Sequence, residues 1–473
     1  MKRTSMTQQE NEFETRFAPF RERMERSGAP PLAIYSFRRS YAALCYGTAG
    51  PIPSSRIRPV VALPSLEDIT AYADRGRKLL ERVVIVKLNG GLGTGMGLEC
   101  AKSLIEVKNG LTFIDIVALQ CRALRERSGI AIPLVFMNSF RTDAETLKAL
   151  EQYGDVAGDF PLSFLQHRVP KVSARDLTPA INPADPALEW CPPGHGDFFT
   201  AVQTSGLLEI WLGHGYRYLF VSNVDNLGAV FDPSIVGYMD QEGIEFLMEV
   251  TDRTEADRKG GHIAVAEDER LLLREAAQCP PEERCEFEDI ERFKYFNTNN
   301  IWIDLAALRS LLASHGGILP LPVMANRKTL DPRDPASAEV YQLETAVGAA
   351  ITLFDRAAAL RVPRMRFAPV KTTDDLVAVR SDAYLLTEDF RIILHPDRKL
   401  RAPIVHLDPV HYRFLEQIRE HFPDGPPSLL RCTSLRVEGD VVFGGNVRIV
   451  GTVHLRAPEG ERLVIPGGTV LEQ

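Results

Sequence analysis

The sequence predicts an α/β protein: a Rossmann-like, doubly wound, mixed and mostly parallel sheet, followed by a C-terminal parallel β-helix. Three patterns carry that prediction. A β-branched run (Val83, Val84, Ile85, Val86) stops at a loop holding Gly90, Gly91, Gly93, Gly95 and Gly97, as a buried strand does where it ends at a ligand. Apolar runs and helical patterns alternate from residue 82 to 223, and βαβ alternation gives parallel strands covered on both faces. Near the C-terminus Leu429, Leu435, Val441, Val447 and Val453 recur every six residues, with Val437, Phe443, Ile449 and Leu455 on a parallel track, the period of a β-solenoid.

Taken in order, Phe13, Phe17, Phe20 and Met24 are spaced for one face of a helix over 9–27 that packs on the core. The proline-rich stretch 51–64 is extended, and Ser65 with Asp68 opens a helix. Strand 83–88 leads into the glycine loop, and a strand at 103–107 ends at the Asn109-Gly110 turn. Thr112 and Asp115 cap a helix to residue 127, 133–138 is a strand, 142–153 a helix and 161–166 a strand. The segment 168–196 is a long loop ending in PPGHGD, of the kind that is usually functional. A helix over 197–214 and a buried strand over 216–223 complete the alternation. Three regions result: an N-terminal helical segment (1–80), a catalytic domain (81–385) and a C-terminal domain (386–473).

Composition narrows the function. Apolar residues make up 45% and charged residues 25% of 473 residues, with a net charge of −8, which suits a soluble globular protein and gives no sequence-independent grip on nucleic acid. Seven cysteines without a CxxC pair point to reduced thiols and a cytoplasmic home. Neither a run of about 20 apolar residues nor a signal-peptide core occurs, so no membrane is involved.

The glycine loop binds an anion through main-chain N–H groups, but Met96 breaks both the GxGxxG and the GxxxxGK[ST] spacings. That disfavours a dinucleotide-dependent oxidoreductase. Lys102 at the loop exit suits a phosphate, and Asp225, just past a buried strand, occupies the crevice position where one carboxylate and substrate phosphates hold Mg²⁺.

The stretch LNGGLGTGMG with its following KS resembles the nucleotide loop of eukaryotic-type UTP–glucose-1-phosphate uridylyltransferases. Similar blocks follow in order: PLVFMNSF at 133, PPGHGD at 192, VSNVDNLGA at 221, MEVTDRTEADRKGG at 248, FNTNN at 296, QLETAVGAAI at 342 and RFAPVKTTDDL at 366. The resemblance implies a nucleotidyltransferase fold whose C-terminal β-helix is left-handed. It implies a reversible Mg²⁺-dependent reaction of UTP with glucose 1-phosphate, giving UDP-glucose and pyrophosphate by in-line attack on the α-phosphorus. Lys102 and Lys371 are implied as the catalytic lysines. Leu88, Asn89, Gly90, Gly91, Gln166, Gly194, Asn223 and Asp225 join them at the nucleotide, and His195, Asn299, Glu249 and Gly261 meet the sugar phosphate. The family's GPK reads Cys100-Ala101-Lys102 here, and its FNQS reads FLQH at 164–167. Two alternatives stay open: a uridylyltransferase for galactose or N-acetylhexosamine phosphate, and a non-catalytic sugar-nucleotide sensor. So does assembly as a homo-oligomer through the β-helix.

Overall fold

The computed structural model describes every residue except Met1, Ala49, Thr94, Gly95, Glu99, Leu400 and Gln473, so Gly95 of the predicted loop lies outside the described residues. Its centre is a ten-stranded mixed sheet. The strands are β1 (Ile57–Pro59), β2 (Val83–Asn89), β3 (Leu134–Asn138), β4 (Ser163–Leu165), β5 (Tyr218–Asn223), β6 (Phe246–Asp252), β7 (His262–Ala266), β8 (Leu271–Arg274), β9 (Tyr295–Asp304) and β10 (Ala357–Arg361). β4, β3, β2 and β5 are consecutive and parallel. β9 runs antiparallel between β5 and β6, and β10 pairs parallel with β6.

Every residue of β2 is buried, because successive side chains point to opposite faces and both faces are covered. Val83 and Ile85 enter one core with Phe136 and Phe220. The helix Phe113–Ser128 covers that face, capped by Thr112 and Asp115 as predicted. Val84, Val86 and Leu88 enter the other core, with Phe198, Phe199 and Trp211. Two predicted elements differ in detail. The strand expected at 103–107 is a short 3₁₀ turn, Lys102–Leu104, followed by a strand at Glu106–Lys108. The helix expected over 197–214 is two helices, Phe198–Thr204 and Leu207–Gly213, interrupted at Gly206, whose φ of +74° ends the first.

The N-terminal helices Lys2–Arg26 and Pro31–Cys45 bury Phe13, Phe17, Phe20, Met24, Phe37 and Tyr41 against Val169, Val172, Cys191 and Leu343. Those partners order the long 168–196 loop, and the Tyr41 hydroxyl donates to Leu177 O at 2.8 Å. At the other end, strands Ile404–Leu407, Ser428–Glu438, Arg448–Arg456 and Val470–Glu472 form one parallel ladder, and Val441–Phe443 with Leu463–Ile465 a second. Leu429, Leu435, Val441, Val447 and Val453 all face one core. The helix Thr373–Arg380 belongs to both regions: Leu376 and Val379 enter the central core, Val377 and Ala378 the C-terminal one.

Candidate functional site

The C-terminal ends of β2 and β5 are adjacent, with Asn223 opposite Leu88, and the predicted residues gather above them. The glycine loop leaves β2 and folds back as a finger in which Leu92 bridges Ala101 and the Lys102 N–H donates to Gly91 O at 3.2 Å. Met96 plugs the finger into the core beneath. This return delivers Lys102, whose Nζ lies 2.5 Å from Asp225 Oδ2. Both side chains are about four-fifths buried, at 16% and 20% exposure, so little solvent screens the pair.

Asp225 leaves β5 on a turn that carries the second wall. The Val370 N–H donates to Asp225 O at 3.4 Å, the Ala368 N–H to Asn226 Oδ1 at 3.0 Å, and Asn226 bridges Pro369. Asn226 is buried and donates to Asn300 Oδ1 and Arg366 O. Lys371 is thereby mounted beside the Asp225 turn, with Nζ 5.6 Å and 5.9 Å from the ring centres of Phe296 and Phe367, a cation over aromatic faces. It has no carboxylate partner within salt-bridge range among the described residues.

The third wall is the PPGHGD loop. Gln166 Nε2 donates to Gly194 O at 2.6 Å, and its Oε1 lies 2.6 Å from where a Cβ on Gly90 would stand. Glycine at 90 thus lets the loop and the amide meet. Gly194 has φ +82° and ψ 166°, and a Cβ there would fall 2.5 Å from Thr345 O. His195 Nδ1 accepts the Val347 N–H at 3.0 Å, leaving Nε2 to carry the proton in the neutral ring. Burial pushes the His195 pKa down to about 4, so the ring is neutral at pH 7.

Two predicted residues serve from below. The Asn89 side chain donates to Asn138 Oδ1 and Thr146 Oγ1 and is buried, so only its main chain faces the loop. Glu249 is fully buried; Arg366 donates to both its oxygens, and Trp302 Nε1 and Asn300 Nδ2 add one bond each. Its carboxylate is spent on the crevice floor, not left free for a ligand. Asn299 stands above that floor on a bulge of β9, with φ +57° and a reciprocal pair of hydrogen bonds to Asn297.

Sequence reasoning missed three supports. Asp197 accepts from the His167 N–H at 2.8 Å and lies 3.0 Å from its Nδ1, while Thr204 Oγ1 lies 3.1 Å from Nε2. This chain steadies the residue next to Gln166, and FLQH together with HGD was its only signal. Arg366 neutralises Glu249. Glu275 lies against Gly261, where a Cβ would be 2.5 Å from Oε2; burial pushes its carboxyl pKa up and nearby Lys371 pulls it down. Only the hairpin of β7 and β8 brings Glu275 there, which no local pattern reveals.

Such a crevice can hold a polyphosphate: main-chain N–H groups and two lysines for charge, an amide for a base, and one carboxylate for a hard cation. Known proteins resemble this chain over most of its length. A profile of the family described as UTP--glucose-1-phosphate uridylyltransferase matches residues 36–450. A probable UTP--glucose-1-phosphate uridylyltransferase of Schizosaccharomyces pombe is 41% identical over 86% of this chain and 79% of its own. The Solanum tuberosum enzyme of that name is 41% identical over 87% and 84%. The crystal structure of a Trypanosoma brucei UDP-glucose phosphorylase superposes with a TM-score of 0.91 at 45% identity, covering 97% of this chain and 98% of that one. A Leishmania major UDP-glucose pyrophosphorylase mutant in complex with UDP-glucose gives 0.90 at 43%, over 97% and 98%.

Proposed function

The chain belongs to the UTP–glucose-1-phosphate uridylyltransferase family and makes UDP-glucose and pyrophosphate from UTP and glucose 1-phosphate, and we propose that it does so by in-line displacement in the crevice above β2 and β5. One observation carries this reading: Gly90, the Gln166–Gly194 pair, the Lys102–Asp225 pair and Lys371 converge on one strand-end crevice from distant parts of the chain.

A phosphate oxygen of glucose 1-phosphate forms a bond to the α-phosphorus of UTP. The bond from that phosphorus to the bridging oxygen breaks, and its electron pair leaves with pyrophosphate. No general base is required, because the second pKa of a phosphate monoester is about 6 and the attacking oxygen is already ionised. Catalysis therefore rests on alignment and on charge stabilisation. The Gly90 and Gly91 main chain, following Leu88 and Asn89, receives the nucleotide. Gln166 offers a donor and an acceptor to the imide edge of uracil beside Gly194, and Asn223 lines the same pocket. Lys102 and Lys371 approach the phosphates from opposite walls. His195, neutral with its proton on Nε2, donates a hydrogen bond without adding charge.

The donor set suits Mg²⁺: Asp225 is a hard oxygen ligand at the mouth of a phosphate-sized crevice, and such ions are held by one or two carboxylates plus substrate phosphates. Asp225 would hold it, and the ion when bound supplies charge neutralisation on the phosphates. Lys102 neutralises Asp225 in this arrangement. Asn299 and Gly261 line the glucose, with Glu275 beside Gly261 and Glu249 bracing the wall beneath.

The parallel C-terminal ladders support a β-helix, left-handed by the family resemblance, as the third region, following a helical segment over 1–80 and a catalytic domain over 81–385. The last strand of the longer ladder, Val470–Glu472, has a strand partner on one side only among the described residues, which supports assembly through this region as a homo-oligomer. All seven cysteines are free, which supports a cytoplasmic setting; no described helix is long and apolar enough to cross a membrane. The test is pyrophosphate release from UTP with a panel of sugar 1-phosphates, with and without Mg²⁺. Metal-dependent release with glucose 1-phosphate alone is expected. Equal release with galactose or N-acetylhexosamine phosphates would replace glucose specificity with a broad pocket.

A further inference from the structure

In the C-terminal region, the helix Leu415–His421 packs on the C-terminal strands and sets His421 against Asp440, with His411 beside them on the helix Pro409–Tyr412. One ligating atom from each of the three lies within 4.8 Å of the others. His421 is 2% exposed, and both of its ring nitrogens face acceptors: Nδ1 is 2.7 Å from Gln417 O, and Nε2 is 3.0 Å from Asp440 Oδ1. A neutral imidazole has one N–H. The Gln417 carbonyl can only accept, so Nδ1 donates to it, and Nε2 is the ring atom turned to the Asp440 carboxylate. A cation at Nε2 suits the adjoining carboxylate, and it is either the ring's second proton or a metal ion in that proton's place.

The surroundings match those of a metal ligand set, in which the far ring nitrogen of a histidine donates to a carbonyl and the ligating carboxylate is itself hydrogen-bonded. Arg462 Nε lies 3.1 Å and 2.9 Å from the two oxygens of Asp440, and its Nη2 reaches Glu420 at 2.7 Å, which fixes the carboxylate plane. The Tyr412 hydroxyl donates to Val441 O, locking the His411 helix to the strand next to Asp440. We propose that His411, His421 and Asp440 bind a divalent transition metal of the zinc class, two imidazoles and one carboxylate leaving a fourth position for water. With metal–ligand distances near 2.1 Å, closing the set asks His411, which is only partly buried, to move by roughly 1–2 Å. The metal fastens the segment that carries Phe414, whose ring lies 2.7 Å from a Cβ built on Gly97 of the nucleotide loop. It would thus tie the C-terminal region to the loop that grips the nucleotide.

The full-length protein, stripped with EDTA and dialysed against Zn²⁺ or Co²⁺ alone, is assayed for bound metal by mass spectrometry and for cobalt d–d absorption. One equivalent per chain is expected, with affinity falling about 10–100-fold in His411→Ala and in Asp440→Asn. Asp225→Asn, which removes the crevice carboxylate, and His454→Ala, on the outside of the C-terminal region, are expected to keep that equivalent. His411→Ala sits on a partly exposed position, so its folding is not at stake. Absence of binding by the wild-type chain, an equivalent lost in Asp225→Asn, or one retained at full affinity in His411→Ala would each overturn the proposal.

Discussion

Replacing Gly194 by alanine tests the nucleotide pocket most directly. At φ +82° and ψ 166° the backbone sits where residues with a Cβ pay about 1–3 kcal/mol of strain. The added methyl would stand 2.5 Å from Thr345 O and 2.7 Å from Thr345 N. Both are main-chain atoms of a segment that also accepts the Gly196 N–H and donates to Pro193 O, so neither can yield as a side chain would, and overpacking of this kind adds about 1–3 kcal/mol. The loop's cheapest response is to lift off Thr345, which carries Gly194 O away from Gln166. A total of about 2–6 kcal/mol weakens UDP-glucose binding by at least about 30-fold. Calorimetric titration of UDP-glucose measures this, with Gly213→Ala as control, since no atom lies within 4 Å of a Cβ there. A Gly194→Ala protein that binds UDP-glucose within about threefold of wild type would refute the assignment of this loop to the nucleotide.

Asp225→Asn removes the crevice carboxylate and leaves Lys102 without its counter-charge; turnover is expected to fall about 10²–10³-fold, and unchanged turnover with an unchanged Mg²⁺ titration would remove Asp225 from the metal site. Lys371→Ala deletes a cation that holds no salt bridge among the described residues and lies over the rings of Phe296 and Phe367, so kcat is expected to drop by about two orders of magnitude with the melting temperature held; full kcat with a lowered melting temperature would make it structural. His195 has a folded pKa of about 4 against an ordinary 6.5. Between those values the unfolded chain binds a proton that the folded one does not, so this contribution is present above pH 6.5 and is lost as pH falls through 4. Urea midpoints measured from pH 7 to 4 are expected to fall less steeply in His195→Asn than in wild type; parallel curves would contradict the neutral ring.

Much of this protein was legible along the chain because its signals are local. The run at 83–86 could only be a strand buried on both faces, and Thr112 with Asp115 could cap only the helix that follows. The Phe13–Met24 stripe announced a packed helix, though not that its partner was the 168–196 loop. The glycine loop, Lys102 and Asp225 were readable because phosphate chemistry requires main-chain donors, a lysine and a carboxylate at strand ends.

What the chain could not express was who meets whom. Glu249 lies in a block that resembles sugar-binding sequence, yet Arg366, distant in sequence and adjacent in space, claims its carboxylate and puts it in the floor. Glu275 gives no local signal and reaches Gly261 only because β7 and β8 form a hairpin over the crevice. His411, His421 and Asp440 look like three surface residues until the last helices fold back on the C-terminal strands. The sequence by itself determined the elements and the anion-binding loop, because period, capping and turn chemistry act over a few residues. Only the tertiary structure decided which charges are spent on each other and which stay free, because burial and pairing are properties of contacts between segments, not of segments.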